Sequence, residues 1–124
     1  MKKVVCLGGG NAMPSAVLSQ IKNEKIELCV ISAVLDSGGS SGKLRKDFDI
    51  IAVGDIRRSL LELSLLENKE IFNYRFEKGD LKGHNLGNLI IASILLKEKN
   101  PVDVLNDFFK TKFRVLPATL DRAH

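Results

Sequence analysis

The run Asp36-Ser37-Gly38-Gly39-Ser40-Ser41-Gly42-Lys43-Leu44-Arg45 gathers three glycines, three hydroxyls and two cations in ten residues. It follows an apolar, β-branched run, Leu28 to Leu35, of the right length for a buried strand, and so reads as a loop at a strand end. Backbone N–H groups left unpaired in such a loop attract an anion, and Lys43 and Arg45 add charge at its exit. That chemistry is a phosphate cradle, with Asp36, Gly38, Gly39, Ser40, Ser41, Gly42 and Arg45 as its contacts. The competing reading is a solvated Gly/Ser linker. It is not a Walker A loop, because Ser37 occupies the first glycine position and Leu44 the hydroxyl position.

Two further stretches offer related chemistry. Gly8-Gly9-Gly10-Asn11 follows the apolar run Val4 to Leu7, and Pro14 suits the first turn of a helix carried by Val17, Leu18 and Ile21. Strand, glycine loop and helix open a nucleotide-binding unit. Met13 stands where the dinucleotide fingerprint needs its third glycine, so Gly8 and Gly10 match only two of three. Gly83-His84-Asn85-Leu86-Gly87-Asn88 opens the most hydrophobic segment of the chain, Leu89 to Leu96. A buried helix that begins with His84, Asn85 and Asn88 puts N–H groups and amides at one end, as a site for phosphate or ribose would. The alternative is a loop histidine or a satisfied core residue.

Single residues add to these loops. Tyr74-Arg75-Phe76 reads either as two core rings around an exposed cation or as an arginine aimed at a phosphate pocket. Gly54-Asp55 precedes a helix in which Ile56, Leu60 and Leu63 recur at helical spacing. Asp55 there is an N-cap, worth about 1 kcal/mol, or a carboxylate for a metal. No cysteine and no convincing Ser–His pair offers nucleophilic catalysis.

The elements that must position these residues follow from periodicity. Strands are expected at Val4 to Leu7, Ile26 to Leu35 and Phe113 to Leu116, the first two joined by a right-handed βαβ crossover. Both glycine loops then leave the carboxyl edge of a parallel sheet, where α/β folds place their ligands. A shorter helical segment is expected at Leu66 to Phe72. The helix from Leu89 to Leu96 is apolar around most of its circumference and is expected to be central and buried. Asn100-Pro101 caps a last amphipathic helix with Val102, Leu105 and Phe109 inward.

Composition bounds the rest. The 124 residues, 44% hydrophobic and 27% charged, are those of one ordinary globular domain at most. The net charge of +4 is a mild bias towards anionic ligands. Scattered lysines, one tyrosine and no tryptophan speak against stacked nucleic acid. No apolar run reaches the ~18 residues of a membrane span, and no signal peptide is visible. Cys6 and Cys29 read as reduced core thiols, and the expected location is cytoplasmic. A sheet of only three strands would leave an edge and helix faces uncovered, so self-association into a homo-oligomer is expected.

Six ordered blocks carry a resemblance: Val5-Cys6-Leu7-Gly8-Gly9-Gly10, Asp36 through Arg45, Gly54-Asp55-Ile56-Arg57, Tyr74-Arg75-Phe76, Gly83 through Leu89, and Val115-Leu116-Pro117-Ala118-Thr119. The chain resembles the family that joins 2-phospho-L-lactate transferase with the gluconeogenesis factors that bind nucleotide-activated sugars. The Gly-Gly-Ser-Ser-Gly run is closer to the gluconeogenesis-factor branch. The resemblance implies an α/β, Rossmann-like parallel sheet with a large helical insertion, incomplete at its C-terminus, with residues 1–124 as an amino-terminal portion. It implies that a nucleotide diphosphate or nucleotide sugar is held by Gly8, Gly9, Gly10, Asn11, the Asp36 to Gly42 run and the Gly83 to Asn88 turn, with Arg45, Arg57 and Arg75. On the gluconeogenesis-factor branch the role is regulatory, in carbon metabolism or cell-envelope formation, and no bond is broken. On the transferase branch Asp36 and Asp55 would hold Mg²⁺ on the diphosphate while an acceptor hydroxyl attacks phosphorus. A third reading is a partner-binding protein without a ligand. Three positions depart from the family pattern: Asn11-Ala12 replaces Thr-Gly, Asp36-Ser37 replaces paired aspartates, and Arg58 replaces Asn.

Overall fold

The computed structural model describes residues 2–8, 26–32, 34 and 39–120. Gly9, Gly10, Asn11, Asp36 and Gly38, together with the expected helix around Val17, lie outside the described residues. The fold is α/β. Strands β1 (Lys2–Gly8), β2 (Ile26–Ser32) and β3 (Arg114–Pro117) form a parallel sheet in the order β1-β2-β3. The β-branched and apolar content of Ile26–Ser32 suits the central position, where both neighbours are hydrogen-bonded. Register brings Gly8, Ser32 and Pro117 side by side at the carboxyl edge. The described part of the second strand ends at Ser32, and Ala33 and Leu35 of the expected strand lie outside the described residues. The Ser32 carbonyl accepts from Ala118 N–H, and the Val34 carbonyl from Ala52 N–H.

Four helices complete the described fold: α1 (Gly39–Phe48), α2 (Gly54–Leu63), α3 (Leu86–Lys97) and α4 (Pro101–Phe109). Helix α2 is the hub, packing on β2, β3, α3 and α4. Its apolar face, Ile56, Leu60 and Leu63, is buried with Val30, Ile91, Leu105, Phe109 and Val115. Pro101 stands at the first position of α4, as its fixed φ favours, and Leu105 and Phe109 point inward while Val102 is half-buried. No helix among the described residues is long and apolar enough to cross a membrane.

Five expectations are corrected. Gly39, Ser40, Ser41 and Gly42 belong to the first turn of α1 and not to a loop. The segment from Leu66 to Phe72 is helical only as a 3-10 turn over Lys69–Asn73. Tyr74 is 48% exposed, and its ring meets Phe76 edge-on at 5.1 Å instead of entering the core. Helix α3 is buried on one face only, through Gly87, Asn88, Ile91 and Ala92, while Leu96 is 53% exposed. Apolar composition says that a helix can be covered, not that these residues supply the cover. Cys29 is likewise half-buried rather than enclosed.

Candidate functional site

The amino-terminal ends of α1, α2 and α3 are laced to one another by hydrogen bonds between side chains and neighbouring backbones. Ser41, in the first turn of α1, accepts from the N–H groups of Val53 (3.0 Å) and Gly54 (3.2 Å) and so caps α2 from another helix. Val53 occupies the cap position of α2 and has no side chain able to do this. Asp55 is therefore not the N-cap that the sequence suggested. It sits inside the first turn, and its Oδ1 accepts from Arg58 Nη1 at 2.7 Å.

Ser40 ties α1 to α3. Its buried Oγ lies 2.8 Å from His84 Nδ1 and accepts from Asn85 N–H at 3.2 Å. A buried Ser–His pair thus exists, contrary to the sequence reading, because residues 44 apart meet only in the fold. Asn85 then caps α3 itself, its Oδ1 accepting from Asn88 N–H at 3.1 Å. The third lace joins α2 to α3, with Arg57 Nη1 donating to Asn88 Oδ1 at 2.7 Å. Each such bond contributes about 1 kcal/mol net, and each holds one helix terminus at a set distance from the next.

Arg75 reaches the same place from a different element. Residues 74–76 and 83–86 zip together through Phe76 N–H to His84 O (2.9 Å), Gly83 N–H to Phe76 O (2.8 Å) and Leu86 N–H to Tyr74 O (2.8 Å). The connection closes through a 3-10 turn, Gly79–Leu81, with Gly79 at φ 73° and Gly83 at φ 86°, conformations that favour glycine. Arg75 Nη1 donates to the Gly83 carbonyl at 2.6 Å.

These elements surround a cavity of about 370 Å³ lined by Gly39, Ser40, Ser41, Gly54, Arg57, Arg58, Arg75 and Asn88. The size falls within the ~300–1,000 Å³ of small-ligand sites. Its wall carries three guanidinium groups and the first turns of three helices, whose backbone amides and dipoles both favour negative charge. Of the residues singled out from sequence, Gly39, Ser40, Ser41, Arg57, Arg75 and Asn88 come together on this wall. His84, Asn85 and Asp55 stand behind it as supports. Gly42 and Arg45 lie further along α1, and Gly8 ends β1 beside Ser32. Gly54 and Arg58 were missed as site residues. An arginine after Gly54-Asp55-Ile56-Arg57 was the signal for the second. A larger hollow of about 510 Å³ between α4 and β3 has no such set of donors, since Asp103 pairs with Arg114 and Asn106 serves Val115 and Thr111.

Of the two carboxylates expected to hold Mg²⁺, Asp36 lies outside the described residues. Asp55 does not line the cavity and its carboxylate is held by Arg58. Among the described residues no three His, Cys, Asp or Glu side chains stand together.

The model of the 2-phospho-L-lactate transferase CofD family matches residues 4–124. The chain belongs to this family. It is 42% identical over 123 residues to the gluconeogenesis factor of Listeria innocua, covering 94% of this chain and 38% of that one. It is 39% identical over 124 residues to the gluconeogenesis factor of Halalkalibacterium halodurans, with 95% and 38% covered. A crystal structure of a Bacillus halodurans protein superposes with a TM-score of 0.90 at 36% identity, over 98% of this chain and 41% of that one. A second, described as a member of the UPF0052 family from the same organism, gives 0.89 at 34% identity. This family member therefore spans about two-fifths of the length of the relatives it matches.

Proposed function

We propose that this chain binds the diphosphate of a nucleotide or nucleotide sugar in the cavity between α1, α2 and α3, and that it does so without breaking a bond. The observation that carries this reading is the cavity wall itself, with Arg57, Arg58 and Arg75 converging beside three helix amino termini. An anion with several oxygens satisfies such a donor-rich wall better than a neutral ligand. The likeness to gluconeogenesis factors supports a regulatory role in carbon metabolism; the proposal extends it to cell-envelope formation and to a cytoplasmic homo-oligomer. A screen of nucleoside diphosphates, nucleotide sugars and inorganic pyrophosphate by thermal shift and calorimetry tests it. Binding by the diphosphates, weakened about tenfold or more by Arg57→Ala as expected for a lost charged hydrogen bond, supports the proposal. Absence of binding by any of them sinks it.

A second reading is group transfer, in which a hydroxyl acceptor attacks phosphorus of a nucleotide diphosphate donor to receive a phospholactyl-type group. The family model supports it, and the Ser40–His84 pair beside the cavity is the observation in its favour. Release of nucleoside monophosphate from a nucleoside diphosphate esterified with a 2-hydroxy acid, with the phospho-hydroxyacyl group recovered on an added alcohol acceptor, and loss of both in His84→Gln, would establish it over simple binding.

A further inference from the structure

We infer that His84 decides whether Ser40 donates a hydrogen bond to an anion in the cavity, so that uptake of a diphosphate is coupled to protonation of the buried imidazole at Nδ1. The inference rests on the reading that the cavity binds a diphosphate. Two serines of the wall, Ser40 and Ser41, are 5% and 3% exposed and differ in what their oxygens already hold. A hydroxyl has one hydrogen to give and two lone pairs to receive with. Ser41 Oγ accepts from Val53 N–H and Gly54 N–H, so both of its lone pairs are filled. Its hydrogen has no acceptor among the described residues and is left for a ligand oxygen.

Ser40 Oγ accepts from Asn85 N–H at 3.2 Å, which fills one lone pair, and lies 2.8 Å from His84 Nδ1. That second contact has two senses. With Nδ1 bare, Ser40 spends its hydrogen on the ring and keeps a free lone pair, which repels an anion. With a proton on Nδ1, the ring donates to Oγ, both lone pairs are filled, and the Ser40 hydrogen is released for the anion as that of Ser41 is. The proton reaches Nδ1 from Nε2 by tautomer exchange or from solvent as net uptake, and an imidazole changes charge near neutral pH. A bound anion favours the second sense, and by linkage the second sense favours the anion. Binding therefore strengthens as pH falls. Around His84, α1 carries Lys43 in its second turn, α2 carries Asp55, Arg57 and Arg58 near its start, and Arg75 donates to the neighbouring Gly83 carbonyl. The connection from 77 to 82 adds Glu77, Lys78, Asp80 and Lys82, all exposed. None of these side chains is hydrogen-bonded to the imidazole. Asp36 lies outside the described residues and enters the test as a variant.

The experiment labels the 124-residue chain with nitrogen-15 histidine and reads the His84 ring nitrogens by long-range proton–nitrogen correlation, with and without saturating inorganic pyrophosphate. His84→Asn assigns the signals, since the chain has two histidines. Calorimetry then compares the parent with Ser40→Ala and Ser41→Ala at about pH 6 and about pH 8, well below the melting temperature of each. Titration of pyrophosphate itself cancels in the ratio of two proteins at one pH. The expected results are an Nδ1 that is bare without pyrophosphate and protonated with it, and a Ser40→Ala loss of about tenfold at the lower pH and clearly less at the higher. Ser41→Ala loses a similar factor at both. An Nδ1 that keeps one state with and without bound pyrophosphate, an equal Ser40→Ala loss at both pH values, or a proton change abolished by Asp36→Asn overturns the inference and leaves the diphosphate reading standing. The ring is read in the parent chain, so a Ser40→Ala protein that fails to fold leaves that outcome decisive. Absence of pyrophosphate binding at either pH overturns both.

Discussion

Asn88 Oδ1 holds Arg57 Nη1 at 2.7 Å, joining the third residue of α3 to the fourth of α2 across 31 positions of sequence. Asn88 is itself fixed through its N–H to Asn85 Oδ1, so the orientation of Arg57 is inherited from the cap of a different helix. Asn88→Ala is expected to weaken pyrophosphate binding about five- to tenfold, near 1 kcal/mol. Arg57→Ala should weaken it more, and the double variant no further than Arg57→Ala alone. Calorimetry on the four proteins of that cycle checks the coupling. Fully additive losses would mean that Asn88 acts on the ligand independently of Arg57.

Gly87 explains why α3 can approach the site so closely. A Cβ at this position would lie 2.6 Å from the Phe72 carbonyl oxygen and 3.0 Å from Arg57 Cδ. The first of these is backbone and cannot step aside cheaply. Gly87→Ala should therefore lower stability by about 1–3 kcal/mol, visible as a reduced midpoint in urea, and should also displace the stem of Arg57.

Gly39 is a glycine for a different reason. Its φ is 49° and nothing among the described residues lies within 4 Å of where a Cβ would be, so the constraint there is backbone conformation. Gly39→Val should cost about 1–2 kcal/mol through strain in the left-handed region, weaken diphosphate binding and leave helical content nearly unchanged by circular dichroism. Gly39→Asn should cost clearly less, because asparagine tolerates that region. Equal losses in both would point to a steric cause.

Removal of the Ser40 hydroxyl tests the lace between α1 and α3. Ser40→Ala leaves His84 Nδ1 and Asn85 N–H buried without their common partner. An orphaned buried polar group costs about 1–3 kcal/mol, so thermal stability should fall by several degrees. An unchanged melting temperature would show that water replaces the hydroxyl at no penalty.

The outer face of α3 bears on association. Phe48, Leu95, Leu96 and Leu120 line a groove of about 290 Å³ that also includes Asp49 and Pro101, and Phe48 is 51% exposed. Contiguous apolar surface of this kind favours self-association. Sedimentation should show association that grows with concentration, and Leu96→Glu should suppress it without lowering stability. A parent chain that stays monomeric across the range would remove the groove from consideration.

Strands and helices were legible wherever a local pattern fixes local structure. The β-branched run before Ser32, the spacing of Ile56, Leu60 and Leu63, and Pro101 at a helix start each say where an element lies. The laces were not legible, because they join residues whose proximity depends on packing. Nothing near Asp55 in sequence reveals that Ser41 caps α2, and a first-turn aspartate next to glycine resembles a cap in every local respect. Ser40 and His84 were each noticed alone, and only the fold makes them a pair. The one-sided burial of α3 is hidden from the sequence for a related reason. Hydrophobicity around a whole helix reports what could be covered, whereas exposure depends on which neighbours are present.

Three arginines and three helix amino termini line one hollow, and the proposed diphosphate site has a consequence for the protein without its ligand. Their mutual repulsion is relieved by any small anion that enters, so sulfate or phosphate in a buffer behaves as a weak stabilising ligand in proportion to its occupancy. Melting temperatures taken in phosphate should exceed those taken in chloride at equal ionic strength, and the gap should shrink in Arg57→Ala. If the proposed diphosphate site is correct, an assay run in phosphate buffer would understate the affinity of a diphosphate ligand by the fraction of sites the buffer already fills.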